Sequence, residues 1–269
     1  MKDKIIGYYK EFDFPKEYDS QFYENIEKLD MSEIEKVLEM DPPFEYVQQK
    51  NDPFFNLALI LAHMEKGYEN FEKAGVPREI AHHSLSDVLT WSANYYKKNG
   101  KVGHANVPWA YAVAGAGMFK LDRLQFQFGK AYFESKQHDL KIDDDVINIH
   151  IPEGPGLTPE ACQNSVRLAK EFFKKHFPDY NYKAIICTTW LLNPTLLAWV
   201  KPDSNIAHFM RMFDIVKATP STQGRQRVFG FDHEQFTDAE LPENTSLQKK
   251  MKEFLLNGGT LMSGSGVLK

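Results

Sequence analysis

Ile149-His150-Ile151-Pro152-Glu153-Gly154-Pro155-Gly156-Leu157-Thr158-Pro159-Glu160-Ala161 reads as a strand, a glycine-bearing turn and the capped start of a helix. Ile147, Ile149 and Ile151 share one strand face, and Val146, Asn148 and His150 share the other. Thr158 is a good N-cap, and Pro159 suits the first helical turn. Gly154 and Gly156 let the backbone turn and approach a ligand closely. This order gathers the amides of Gly156, Leu157 and Glu160 around one point, where the partial positive charge of a helix start suits a phosphate or pyrophosphate. An ordinary strand-to-helix turn that binds only water has the same spacing. Glu153 and Glu160 also repel an anion. Spacing alone leaves both readings open.

Working outward, the helix runs from Thr158 to about His176 with Cys162, Val166, Ala169 and Phe173 as its apolar stripe. Ala184 to Leu192 is a nearly continuous apolar run, as expected of a strand covered on both faces. Upstream, Leu124, Phe126 and Phe128 alternate with Arg123, Gln125 and Gln127, the period of a strand with one buried face. Downstream, Pro194 opens a short helix and Ser204 caps another. Asp214 to Ala218 and Gln226 to Phe231 read as a hairpin, and Thr245 with Gln248 caps a last helix that ends at Gly258-Gly259. The first ~118 residues read as helical throughout. Ser32 with Glu35 opens a short helix to Met40, Pro53 to about Ala74 forms a second, Pro77 to Tyr96 a third and Pro108 to Met118 a fourth. The fold class is therefore α+β, with an all-helical domain over residues 1–120 and a mixed α/β domain over residues 121–269.

The chain has 269 residues, 42% hydrophobic and 26% charged, which is ordinary for a globular protein. Its 32 Lys+Arg against 37 Asp+Glu and its lack of a basic block argue against a nucleic-acid partner. The apolar runs fall far short of the roughly 20 residues that span a bilayer, so no membrane role is expected. Two cysteines, Cys162 and Cys187, make no disulfide scaffold. With no signal peptide at the start, the expectation is a reduced, cytoplasmic protein. No metal site is expected either: His83 and Asp87 lie one helical turn apart, but a third ligand and an HExxH motif are missing.

Residues 121–128 (LDRLQFQF), 149–165 (IHIPEGPGLTPEACQNS), 187–194 (CTTWLLNP), 204–213 (SNIAHFMRMF), 227–231 (RVFGF) and 244–248 (NTSLQ), with 82–91 (HHSLSDVLTW) in the first half, carry a resemblance. The chain resembles bacterial acyltransferases with a helical N-terminal domain and a GNAT-like C-terminal domain, in the superfamily of acyl-CoA N-acyltransferases. The resemblance implies that acyl-CoA, acetyl-CoA in the simplest case, lies along Ile149 to Thr158. Its pantetheine would pair with Ile149 and Ile151, and its pyrophosphate would sit on the amides of Glu153, Gly154, Gly156, Leu157 and Thr158. It implies that the strand from Ala184 diverges from its neighbour to admit the thioester, and that Asn193 contacts pantetheine or substrate. The family's Gln/Arg–x–x–Gly–x–Gly/Ala pattern is met at Gly154 and Gly156, but Ile151 holds its first position. Pro152 and Pro155 bring no N–H, and no Tyr stands on the following helix.

In that frame His150 is the candidate base, because an amine must lose a proton as it attacks a thioester and imidazole titrates near neutrality. Asn148 would orient it or a water, and Trp190 would wall the acyl pocket. The acceptor would be a small-molecule or peptide amine; the sequence says nothing of oligomeric state. Two rivals stand beside this N-acyltransferase. One is a non-catalytic, ligand-binding or regulatory GNAT-like protein, motivated by the departures in the loop. The other is a hydrolase using Cys187 or a carboxylate pair.

Overall fold

A computed structural model describes residues 1–230 and 235–269. The chain divides into two compact units, Met1–Lys120 and Leu121–Lys269.

The first unit is built from helices α1 (Lys2–Glu11), α2 (Asp19–Lys28), α3 (Met31–Leu38), α4 (Phe44–Lys50), α5 (Pro53–Lys73), α6 (Arg78–Leu85), α7 (Asp87–Asn99) and α8 (Val107–Ala112). Its axis is α5, which is apolar nearly all round and buries Phe55, Leu57, Leu59, Leu61 and Phe71 completely. Asp52 caps this helix, accepting from the amides of Phe54 and Phe55. Three boundaries differ from the sequence expectation. The helix expected from Ser32 begins at Met31, because Asp30 takes the cap and accepts from the amide of Ser32. The helix expected from Pro77 to Tyr96 is two helices parted at Ser86. There Ser84 Oγ donates to the Ile80 carbonyl at 2.7 Å and Ser86 Oγ to the His83 carbonyl at 2.8 Å. Hydroxyls that compete for helix carbonyls bend or end a helix. The helix expected to reach Met118 stops at Ala112, and a wide turn carries Ala116 at φ 55 into a strand.

The second unit is organised on a mixed sheet. Its strands are β1 (Met118–Leu121, which spans the boundary), β2 (Leu124–Lys130), β3 (Asp145–His150), β4 (Ala184–Thr189), β5 (Phe213–Pro220) and β6 (Met262–Leu268). Among the described residues their order is β1-β2-β3-β4-β6-β5. β3 runs antiparallel to β2 and parallel to β4, and β6 is antiparallel to both β4 and β5. Helix α9 (Pro159–His176) begins where Thr158 accepts from the amide of Ala161. It covers the face that bears Phe128, and the rings of Phe128 and Phe173 meet edge-on at 5.3 Å. On the opposite face Val146, Ile186 and Val267 pack against Ala131, Phe133 and Leu140 from the segment after β2. Helices α10 (Leu196–Trp199) and α11 (Asn205–Arg211) follow β4, and Ser204 caps the second of them. The expected cap on α13 (Ser246–Leu256) is formed by Thr245 and Gln248.

The expected hairpin does not form. Gln226 lies in helix α12 (Gln223–Phe229), whose Phe229 is buried with Leu241, Met251 and Leu261; Phe231, in the second expected strand, is outside the described residues. The partner of β5 is instead β6, Met-Ser-Gly-Ser-Gly-Val-Leu, whose small residues carry no strand periodicity. Those glycines answer to a close approach: a Cβ at Gly264 would lie 2.0 Å from the carbonyl oxygen of Leu192.

Gly264→Ala therefore forces backbone apart and should destabilise the second unit by about 2–4 kcal/mol in urea unfolding. Ser263→Ala is the control. The Ser263 hydroxyl is buried without a partner, so its removal should be neutral or mildly stabilising. The first unit has its own acid-sensitive point. His104 is fully buried, accepts from the amide of Asn106 through Nδ1, and is pushed down to about 3 by burial. The unfolded chain binds a proton near pH 6.5 that the folded chain refuses, so stability is full above about 6.5 and falls as pH drops toward 3. Unfolding free energies between pH 7 and 4.5 should decline more steeply in the wild type than in His104→Gln; equal slopes would remove His104 from the account.

Candidate acyl-donor site

The sheet splits where β3 ends. The ladder between β3 and β4 stops at Ile149↔Cys187, although β3 runs on to His150 and β4 to Thr189. Past that point Thr188 and Thr189 stay paired with Ser265 and Gly264 of β6. A wedge thus opens between His150–Ile151 and Thr188–Thr189, as the resemblance implies.

The register puts Gln125 opposite His150 and Gln127 opposite Asn148, so these four share one sheet face. His150 Nε2 lies 2.7 Å from Gln127 Oε1. Gln127 offers an acceptor there, so Nε2 carries the hydrogen and Nδ1 the lone pair. Burial drives the imidazole down to about 4. The desolvated cation is disfavoured, so His150 is neutral at physiological pH and a weaker base than the sequence suggested. Asn148 does not reach it through any hydrogen bond seen here. The Asn148 carboxamide lies instead over Gly129, where a Cβ would come within 2.0 Å of Nδ2.

Across the wedge a hydroxyl chain was not foreseen. Tyr132, on the segment after β2, hydrogen-bonds Thr188 Oγ1, and Thr188 donates to Ser265 Oγ at 2.7 Å. Thr188 is exposed and Tyr132 is half-exposed. The resemblance implies a tyrosine on the helix after β4, where none stands. The tyrosine at the wedge comes from the segment after β2, with no spacing that would single it out.

The loop is held from below. Arg123 donates through Nη1 to the Pro152 carbonyl at 2.8 Å and through Nε to the Pro155 carbonyl at 2.7 Å. The two prolines that remove donors thus supply acceptors for a half-buried guanidinium. Gly154 takes φ +151, a conformation that L side chains rarely adopt. Glu153, Gly154 and Gly156 are exposed, and Leu157 is half-buried. The amides of Gly154, Gly156 and Leu157 meet no protein acceptor among the described residues, whereas that of Thr158 bonds the Gly156 carbonyl at 2.9 Å. Asn205 adds a polar group, its Nδ2 lying 3.3 Å from where a Cβ of Gly156 would be.

Other named residues stand further from the wedge's polar face. Asn193 is 2% exposed, and its Oδ1 accepts from the amide and hydroxyl of Thr195. It closes the turn into α10. Trp190 lies beside Gly224 of α12, and its amide bonds Gln223. Cys187 is buried, and burial raises its thiol well above the usual range, so it offers no thiolate. Asp87, weighed as a metal ligand, accepts from the indoles of Trp91 and Trp109. Among the described residues no cluster of His, Cys, Asp and Glu is arranged to hold a metal, and no helix is long and apolar enough to cross a membrane.

The chain matches a family of N-acyltransferase N-terminal domains over residues 2–114 and a family of GNAT-like C-terminal domains over residues 118–268. Among solved structures it is similar to an acyltransferase in complex with decanoyl-CoA, at 26% identity and a TM-score of 0.68 over 80% of this chain and 65% of that one. It is also similar to an acyltransferase in complex with decanoyl-CoA and teicoplanin, at 24% identity and a TM-score of 0.70 over 80% of this chain and 66% of that one. A mutant acyltransferase in complex with octanoyl-CoA matches at 24% identity and a TM-score of 0.69, over 80% and 66% of the two chains. This chain thus spans a little under two thirds of their length. No curated protein matches it. The matched domains, the mixed sheet and its split place this chain in the acyltransferase family that joins an N-acyltransferase N-terminal domain to a GNAT-like C-terminal domain.

Proposed function

We propose that this protein is an acyl-CoA-dependent N-acyltransferase. The observation that carries the reading is the wedge beyond Ile149↔Cys187 with His150 on one side and the Tyr132–Thr188 pair on the other. Pantetheine runs along Ile149 to Ile151, past the end of the β3–β4 ladder. The pyrophosphate rests on the amides of Gly154, Gly156 and Leu157 at the start of α9, with the guanidinium of Arg123 beneath and Asn205 beside them. The amine nitrogen attacks the thioester carbonyl carbon, the C–S bond breaks, and the thiolate takes the proton of the Tyr132 hydroxyl. His150 accepts a hydrogen bond from the amine through Nδ1 and aims its lone pair. The ammonium proton passes through water and restores the Tyr132 hydroxyl, because an imidazole held near 4 stores it poorly. Asn148 shapes the wall on the His150 face, Asn193 holds the turn after β4, and Trp190 backs the acyl end.

Decanoyl- and octanoyl-CoA bound in the neighbours favour acyl chains longer than acetyl. Teicoplanin bound in one of them favours a large natural product or peptide amine as acceptor. A binding protein without catalysis remains the second reading, because Pro152 and Pro155 leave fewer amide donors than the family's loop supplies.

Calorimetry with acetyl-, octanoyl- and decanoyl-CoA tests the donor site, and an absence of binding at millimolar ligand would end the proposal. Arg123→Ala should weaken CoA about tenfold by freeing the loop, with little effect on global stability. Tyr132→Phe should leave acyl-CoA affinity intact and lower kcat about a hundredfold; binding without transfer to any amine of a panel, in the wild type, would favour the second reading. The pH profile carries a separate test. His150 is already neutral above about 4, so kcat/KM should show no rising limb near 6.5 from it, and the limb seen should follow the acceptor's own ammonium pKa. A limb near 6.5 that persists with acceptors of different basicity and vanishes in His150→Ala would show His150 titrating as an ordinary base.

A further inference from the structure

The helical unit contains a cleft of about 770 Å³ that the proposed chemistry does not use. It opens between α5, α8 and the turn from α3 into α4. Its central feature is an aromatic plate: the rings of His63 and Tyr111 stack at 4.2 Å and 12°, and Phe44 stands edge-on to Tyr111 at 5.9 Å. Leu38 and Met40 make the wall apolar. His63 is held below its ordinary pKa by burial and then by Lys4 and Lys66, so the plate is neutral at pH 7.

The charges around this plate are unevenly paired. Lys4 is taken by Glu65 at 2.5 Å, and Lys66 lies 3.5 Å from Glu69. Asp41 stands at the rim, near enough to bias both His63 and Tyr111, and its carboxylate has neither an ion pair nor a hydrogen bond among the described residues. Lys73 also approaches Glu69, at 3.7 Å, so the lysines pair with the two glutamates and the Asp41 carboxylate is left over beside an electron-rich aromatic face. A cation gains from both, by direct attraction to the carboxylate and by the ring quadrupole. An anion gains from neither. The apolar walls ask for more than a bare ion.

We infer that this cleft binds an organic cation, a primary amine carried on an aromatic or branched apolar body, with the ammonium at Asp41 and the body on the His63–Tyr111 plate. Insofar as this ligand is the acceptor of the proposed transfer, the inference rests on that reading; as a binding site it stands alone.

Phenethylamine, 2-phenylethanol and phenylacetate are matched probes for calorimetry on the full chain without acyl-CoA. The amine should bind about fivefold or more tightly than the alcohol, and the carboxylate most weakly. Asp41→Asn should erase the amine's advantage, and His63→Ala should weaken amine and alcohol alike. In the wild type the advantage should also shrink with added salt, a readout that needs no variant. Equal affinity for amine and alcohol, an advantage that survives Asp41→Asn, or no binding at millimolar amine would overturn the inference. Decanoyl-CoA titrated into the same samples separates the two claims. Amine binding without acyl-CoA binding would sink the transferase and keep the cleft, and the converse would sink the cleft alone.

Discussion

The end of β4 lies on β6, and the donor site depends on that choice. β4 pairs through opposite edges with β3 and β6, and at Thr188 and Thr189 only the ladder to β6 continues. It does so because Gly264 presents bare backbone, on which the Leu192 carbonyl settles where any side chain would block it. Once the turn at Trp190–Leu192 is seated there, β4 is no longer free to follow β3. The end of the β3–β4 ladder at Ile149↔Cys187 thus goes with Gly264 near the far end of the chain. In other strands such residues only weaken the sheet; here their lack of Cβ moves a neighbouring strand.

The loop beside this wedge solves a second problem. Two prolines take away backbone donors, yet fix φ and leave carbonyls turned inward. Arg123 spans both carbonyls, and burial disfavours its charge, though not enough to discharge it. The consequence is a loop whose outward amides belong to a rigid frame. A preorganised site loses less on binding than one that must be ordered by its ligand. A positive charge is buried under a surface that also carries Glu153 and Glu160, which offsets part of their repulsion.

Much of this was legible in the sequence, and the pattern of what was not is physical. The alternation of residues 124–128, the isoleucines of 147–151 and the cap at Thr158 are local signals, and the strands, loop and helix follow them. Residues 262–268 carry no such signal, because a strand of serines and glycines is defined by what it allows its neighbours to do. The helix at Gln223–Phe229 was read as a strand because its apolar residues are few, and Phe229 is placed by Met251 and Leu261 across the fold. At the site, His150 and the loop glycines were visible because chemistry and spacing coincide there. Arg123 and Tyr132 were not, since each acts across the sheet on residues about 30 and 56 positions away.

His150 shows why a residue can be placed well and still be given too strong a role. Its position opposite Gln125, on the polar face at the mouth of the wedge, follows from strand register. Its acidity does not, because that depends on how much water the finished fold leaves around it. Desolvation moves it from 6.5 down to about 4. A base that weak gains little by holding a proton, but it remains a good hydrogen-bond acceptor, and its partner Gln127 locks the ring in one tautomer. Acyl transfer from a thioester, as proposed, needs a neutral amine that is correctly aimed more than it needs a strong base, since the thiolate is a good leaving group. In the proposed reaction, the same burial that disqualifies His150 as a proton store suits it to accept a hydrogen bond from the uncharged amine.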